Sequence, residues 1–368
     1  MKIAFLTVGN PARLTGGYLY HREVFARLRA AGVEITELVV AGASLAEQLV
    51  AAPGLGARFD PRPFDALVVD ALARAVCAPW LDGWRAIRPL VAMVHELPAV
   101  AAGSGPQEAQ ELAFEAPLLR ADRLIAVSDD GARILAGRGA PPERIVVASG
   151  GLDRLRAHWR PSSPPPAPDA DPPSMVLCVA QWIPRKGVLE LARAWAQVAR
   201  PGWRLELVGE TEPDPAYAGQ VRAALAVAPP WSVVVRGPLS DAVLAEAYQS
   251  ATLFALPSHY EGYGIAFAEA LAAGLPVVGC AVGPVPALVG PEAGLLVPVG
   301  DEPALVAAFS RLIEDASLRE RMGRAALAQA ARLPTWDDCA AAFKSAVDAA
   351  IAERQGAPES RPDTPQQR

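Results

Sequence analysis

Pro257-Ser258-His259-Tyr260-Glu261-Gly262-Tyr263-Gly264, followed by an apolar run carrying Glu269, sets two carboxylates seven intervening residues apart around a Gly-Tyr-Gly turn. Thr252–Leu256 ahead of it is strand-like. Ile265–Ala273 behind it reads as a helix that Gly274 and Pro276 stop. The unit is strand, tight turn, helix, and Gly262 and Gly264 let the backbone come close to whatever sits at the helix start. The first amides of a helix are unpaired and carry positive dipole character, so a phosphate is their natural guest. Glu269 lies about five residues into the helix, roughly 7 Å along its axis, which is about the reach from a diphosphate to the ribose of the same nucleotide. One turn and helix could therefore hold a diphosphate by amides and a ribose by a carboxylate, leaving Glu261 for the group beyond the phosphates.

Outward from that unit, short apolar runs alternate with helical patterns, the mark of an α/β fold with parallel sheets. Strands are expected at Lys2–Val8, Val33–Val40, Ala66–Val69, Leu90–Val94, Leu124–Val127 and Ile145–Ala148. After a proline-rich segment they resume at Met175–Ala180, Arg204–Val208, Ser232–Arg236, Pro276–Gly279 and Leu295–Val297. Two doubly wound Rossmann-like domains, 1–158 and 175–334, are expected to face each other across a cleft. The segment 159–174 would be a semi-rigid linker, 335–354 a helix that packs back on the first domain, and 355–368 a disordered tail.

At 368 residues the chain can bury two cores, and a net charge of −6 argues against a nucleic-acid partner held by bulk electrostatics. Residues 1–150 carry 15 Lys and Arg against 16 Asp and Glu, close to neutral. Cys77, Cys178, Cys280 and Cys339 have no metal-ligand spacing, and the four histidines show no helical pairing, so no zinc site is expected. Asp169-Ala170-Asp171 matches a divalent-ion pattern but sits in the proline-rich linker, and is read as chance. The apolar run from Met1 is too short for a signal core and no stretch approaches a membrane span, so a cytoplasmic chain is expected, with a peripheral place at the inner membrane face left open.

Four further segments carry candidate site residues. Strand Lys2–Val8 leads through Gly16-Gly17 to a helix starting near Tyr18, where Tyr20 and His21 face either an acceptor or solvent. His95-Glu96 ends a strand, the place where cleft residues are expected. Arg185-Lys186-Gly187 precedes a helix, where a Lys could neutralise a departing diphosphate or merely sit in a solvated turn. His259 is a weaker candidate. Neither glycine loop fits a dinucleotide fingerprint, which disfavours a nicotinamide enzyme.

Taken together these segments resemble the retaining glycosyltransferases of GT-B architecture known as family 4, over nearly the whole chain. The specific part is Glu261 and Glu269 within their flanking sequence, continued by Ala270-Leu271-Ala272-Ala273-Gly274-Leu275-Pro276-Val277-Val278. Val127-Ser128, Ile145-Val146-Val147 with Gly151-Leu152-Asp153, and Gly16-Gly17 resemble the family's lesser marks. The resemblance implies that Glu269 holds the ribose of a nucleotide-diphosphate sugar and Glu261 the transferred sugar. It gives the amides of Tyr263, Gly264 and Ile265, with Gly16, Gly17 and Gly262, to the diphosphate or sugar. Lys186 would steady the leaving phosphate, and His95 would stand beside the sugar where the acceptor arrives, near Tyr20 and His21. Arg236-Gly237-Pro238 would meet the base through its backbone. Transfer with retention, without metal, cofactor or lasting covalent intermediate, follows from the same likeness, to a small-molecule, glycan or lipid-linked acceptor. The sequence departs where relatives have Gly-Arg and this chain has Ala180-Gln181, with Arg185 as a possible substitute. It departs again at Gly150-Gly151, where Asn-Gly is common, and at Pro286-Ala287, where Pro-Glu is. A non-catalytic nucleotide-sugar or glycan binder of the same fold is the alternative; an epimerase or phosphorylase is a third.

Overall fold

The computed structural model describes residues 1–13, 15–40, 42, 44–102, 106–159 and 174–356. Most of the expected linker, with Asp169 and Asp171, and all but the first two residues of the expected tail lie outside these residues. The first half builds β1 (Lys2–Val8), β2 (Glu34–Val40), β3 (Ala66–Asp70), β4 (Leu90–Val94), β5 (Arg123–Ala126) and β6 (Ile145–Val147) into a six-stranded parallel sheet of order β2-β1-β3-β4-β5-β6. The second builds β7 (Ser174–Val179), β8 (Trp203–Val208), β9 (Val233–Val235), β10 (Leu253–Leu256), β11 (Val277–Cys280) and β12 (Gly294–Val297) into a second parallel sheet of order β12-β11-β10-β7-β8-β9. β3, β4, β7, β8, β10 and β11 are buried almost throughout, as parallel strands covered on both faces must be, which is why each reads as an apolar run rather than an alternation.

Each sheet reverses its winding once, between β1 and β3 and between β7 and β10. In open α/β sheets the crevice beyond the strand ends at such a reversal is where ligands lodge. The segments after β1, β3, β7 and β10 carry Gly16-Gly17, Leu72, Gln181 to Lys186, and Glu261 to Gly264. These segments of both halves line one pocket.

The expected strands are found within a residue or two of their expected ends. Two helices differ in an instructive way. The first begins at Gly16, with Thr15 at its N-cap, so Gly16 and Gly17 form its first turn rather than a loop before it. The helix Trp336–Gly356 runs two residues past Arg354 and lies on the first sheet, against the helix Gly16–Ala30 and β3 to β6. Its buried Trp336, Phe343 and Val347 join Ile3, Phe5, Phe25, Met93 and Ile125 in one apolar cluster. Gly151 makes that return possible: a Cβ there would lie 2.1 Å from the Trp336 amide nitrogen. The Trp336 amide donates to Asp153 Oδ1 (2.8 Å). Among the described residues no helix is long and apolar enough to cross a membrane.

Candidate active site

The helix Ile265–Ala272 starts at Gly264, whose φ of +102° only glycine adopts without strain. Its first intrahelical bond runs from the Ala268 amide to the Gly264 carbonyl (3.1 Å), so the amides of Ile265, Ala266 and Phe267 precede the ladder. Gly262, which also lines the pocket, has a further task that the sequence did not indicate. A Cβ on it would stand 2.0 Å from the His95 carbonyl oxygen, so its bareness lets the two halves of the molecule touch. The Ser128 hydroxyl ties the same turn across the cleft by donating to the Gly262 carbonyl (2.8 Å).

Glu261 is buried and triply engaged. Lys186 Nζ donates to both its oxygens (2.7 and 2.9 Å), and the Ser258 hydroxyl to Oε1 (2.6 Å). Burial pushes this carboxyl up, but the charges of Lys186 and Arg185, with the Lys186 and Ser258 hydrogen bonds, win and hold it below the ordinary carboxylate range. Glu261 is thus an ionised, fixed acceptor of hydrogen bonds. Lys186 is placed by a short 3₁₀ turn, Pro184–Lys186, closed by Gly187 at φ +64°.

Glu269 is held by a residue that the sequence alone did not single out. Arg154 donates from Nε (3.0 Å) and Nη2 (2.5 Å) to Oε1 of Glu269, and its Nη1 reaches Asp241. Burial raises the Glu269 carboxyl above its ordinary value, only partly offset by the charge and hydrogen bonds of Arg154. Arg154 follows Gly151-Leu152-Asp153, a stretch already conspicuous in the sequence, yet nothing local links it to residue 269.

On the opposite wall His95 and His21 meet through their Nε2 atoms at 2.7 Å. Burial lowers both, His95 to about 4, so both rings are neutral at pH 7, one donating and the other accepting. Asp70 Oδ2 stands 3.7 Å from His21 Nε2 and accepts from Thr7 Oγ1 (2.8 Å). Burial lifts the Asp70 carboxyl to about 7. Two histidines and a carboxylate do therefore converge here, a grouping the sequence spacing had not indicated. Two nitrogens of a tetrahedral zinc site stand about 3.4 Å apart. The 2.7 Å separation is that of a direct hydrogen bond, and an ion would have to part the rings.

The pocket holds about 330 Å³, within the range of small-ligand sites. It is lined by Gly16, Gly17, His95, Gln181, Arg185, Lys186, Glu261, Gly262, Tyr263, Gly264, Ile265 and Glu269. Tyr20 reaches the lining but is buried, and its phenol donates to the Ala148 carbonyl (2.8 Å). His21 stands behind His95 rather than in the lining. Of the expected Arg236-Gly237-Pro238 turn, Pro238 lines the pocket, followed by Leu239. The Arg236 side chain pairs with Glu206 (2.9 Å), and the Gly237 carbonyl accepts from the Gly209 amide (2.9 Å). His259 lies against Glu190 (3.2 Å) outside the pocket. Gln181 donates to Glu210 (2.6 Å), which also pairs with Arg13 (2.5 Å). Arg185 faces Glu96 (3.8 Å).

Residues 173–315 match the family model "Glycosyl transferases group 1", and residues 22–156 match "Glycosyltransferase Family 4". The chain is 32% identical over 291 residues to a D-inositol 3-phosphate glycosyltransferase of Thermomonospora curvata, covering 70% of this chain and 67% of that one. It belongs to the family 4 glycosyltransferases. The corresponding enzyme of Segniliparus rotundus is 32% identical over 291 residues, 74% of this chain and 63% of that enzyme, so the chain spans less than two thirds of the latter's length. Two solved structures share the GT-B fold of this family 4 member. Sucrose-phosphate synthase of Thermosynechococcus elongatus has a TM-score of 0.75 at 22% identity, over 96% of this chain and 100% of that one. Anabaena Alr3699/HepE in complex with UDP-glucose has a TM-score of 0.73 at 20% identity, over 96% and 99%.

Proposed function

We propose that this family 4 member is a retaining glycosyltransferase that moves a sugar from a nucleotide-diphosphate sugar to a hydroxyl acceptor, without a metal ion. The observation that carries this is the convergence, in one pocket between two winding reversals, of a helix amino end, the Lys186–Glu261 pair and Glu269. Helix amides and a fixed lysine charge stabilise a diphosphate most when it departs and its charge grows. In the proposed step the acceptor oxygen bonds to the anomeric carbon on the face the phosphate leaves. The carbon–oxygen bond to the phosphate breaks, and the acceptor proton passes to the departing phosphate oxygen. Glu261, ionised and oriented by Lys186 and Ser258, accepts hydrogen bonds from the sugar hydroxyls. Neutral His95 offers a polar ring edge at the sugar without placing a cation there. The donor's ribose hydroxyls would donate to the Glu269 carboxylate beside Arg154, whose guanidinium engages Oε1.

A thermal-shift screen with UDP-, GDP-, ADP- and TDP-sugars, followed by assay of nucleoside diphosphate release with and without a chelator, tests the reading. One donor should raise the melting temperature and be turned over with chelator present, and the product should keep its anomeric configuration by NMR. If no donor binds or turns over, the proposal is wrong. Saturable binding without turnover would assign the chain to the non-catalytic binders, the reading favoured by Gln181 being committed to Glu210 rather than to a phosphate.

A further inference from the structure

Beside the reaction pocket the first half carries a second, larger groove of about 1090 Å³, between the end of β1 and a wall that includes Val39, Val40 and the start of the helix Leu45–Arg58. The two cavities meet: Leu72 lines both, and Arg13 of the groove pairs with Glu210 of the pocket. A molecule lying in the groove against Leu72 would thus point toward the pocket that His95 lines.

The walls of this groove state its charge preference. Two cations line it, and both are committed. Arg74 makes a buried two-pronged pair with Glu111 (2.6 and 2.7 Å), and Arg13 holds Glu210. Glu47, engaged in the capping box of the helix Leu45–Arg58, adds a carboxylate. No Lys or Arg occurs among the residues of the first half outside those described. A phosphate on the acceptor would thus meet guanidiniums that already hold carboxylates, and breaking the Arg74 pair would strand the buried Glu111. The rest of the wall sets aliphatic side chains beside the uncharged polar Asn10, Tyr18 and Gln48. Val40, Leu45 and Leu72 are half-buried, while Val39 and Val50 are 48% and 85% exposed.

Resting on the transferase reading above, we infer that the acceptor is an uncharged hydroxyl compound with an apolar portion that lies along Val39, Leu45 and Val50, and not an inositol phosphate as named for the relatives. The test compares matched pairs in the presence of the nucleotide that the donor screen identifies. These are n-octyl β-glucoside against glucose, and glucose and myo-inositol against their monophosphates, followed by calorimetric titration and acceptor-dependent nucleotide release. Octyl glucoside, kept below its micelle threshold, should bind at least tenfold more tightly than glucose, and neither phosphate should bind more tightly than its parent. The Val50→Asp variant should lose most of the octyl gain. Tighter binding of a phosphate by tenfold, or no gain from the octyl chain, overturns the inference while leaving donor turnover, and hence the proposed function, standing. Failure of every donor to bind would remove the proposed function instead, and this inference with it.

Discussion

Lys186 and Arg154 each neutralise a buried carboxylate, and they predict different failures. Lys186→Ala removes the charge aimed at the departing phosphate, so kcat should fall about 100-fold with nucleotide affinity changed far less. Glu269→Ala should instead weaken nucleotide binding about tenfold or more, since two ribose hydroxyls lose an ionic acceptor. Equal effects of both variants on binding and rate, measured by titration and steady-state kinetics, would contradict those roles. Asp70 yields a pH prediction. Its folded value of about 7 lies above its ordinary 3.8, so the folded chain holds the proton longer than the unfolded one. Stability from this group is present below about pH 4 and lost as pH rises to 7. In Asp70→Asn that loss disappears, so the variant's stability relative to the parent should improve between pH 4 and pH 7. Urea unfolding at the two ends of that window reads it; a flat difference would show that Asp70 is not held protonated. The candidate acids Glu261 and Glu269 were legible because they are close in sequence and flank a glycine turn. Arg154 was not, because its partner lies 115 residues away.

At the scale of the element, the turn after β10 couples chemistry to domain contact. Gly262 faces the His95 carbonyl at a distance no Cβ tolerates, so Gly262→Ala must push the turn and β4 apart by about 1 Å. Overpacking of this kind costs roughly 1–3 kcal/mol, and a 1 Å misplacement of reacting groups can cost about 100-fold in rate. The control is Gly219→Ala, in the helix Pro215–Leu225, where nothing lies within 4 Å of the added carbon. That change should be neutral or stabilising by up to about 1 kcal/mol. Activity of Gly262→Ala within threefold of the parent would show that the turn can give way. The strand and helix ranges were legible because apolar periodicity is a local property. The place of Gly16 and Gly17 inside the first helical turn was not, because glycine's low helix propensity argued for a loop, whereas the helix starts directly after Thr15 at its N-cap.

For the whole molecule, the chain's end is part of its beginning. Phe343 of the helix Trp336–Gly356 packs edge-on to Phe25, ring centroids 6.1 Å apart, and is 1% exposed. Phe343→Ala should cost about 3–5 kcal/mol and should be read in hydrogen exchange as lost protection of β3 to β5, far from residue 343 in sequence. Unchanged protection of those strands would show that the helix merely leans on the sheet. Across the cleft, Arg13–Glu210, Arg22–Asp241 (3.1 Å) and Ser128–Gly262 fix how the two halves face. Those pairings draw on residues whose surroundings in the chain give no sign of a partner.

Two parallel α/β sheets and the pair of acids at a helix start could both be read from the sequence, because each rests on short-range patterning: apolar runs, turn glycines and a fixed spacing. The order of the strands decided the rest. It placed both winding reversals on one pocket, set His21 against His95 and Asp70, put Arg154 on Glu269 and paired the Arg236 side chain with Glu206. Such contacts depend on which strands become neighbours, and local periodicity is the same for many orders of the same strands.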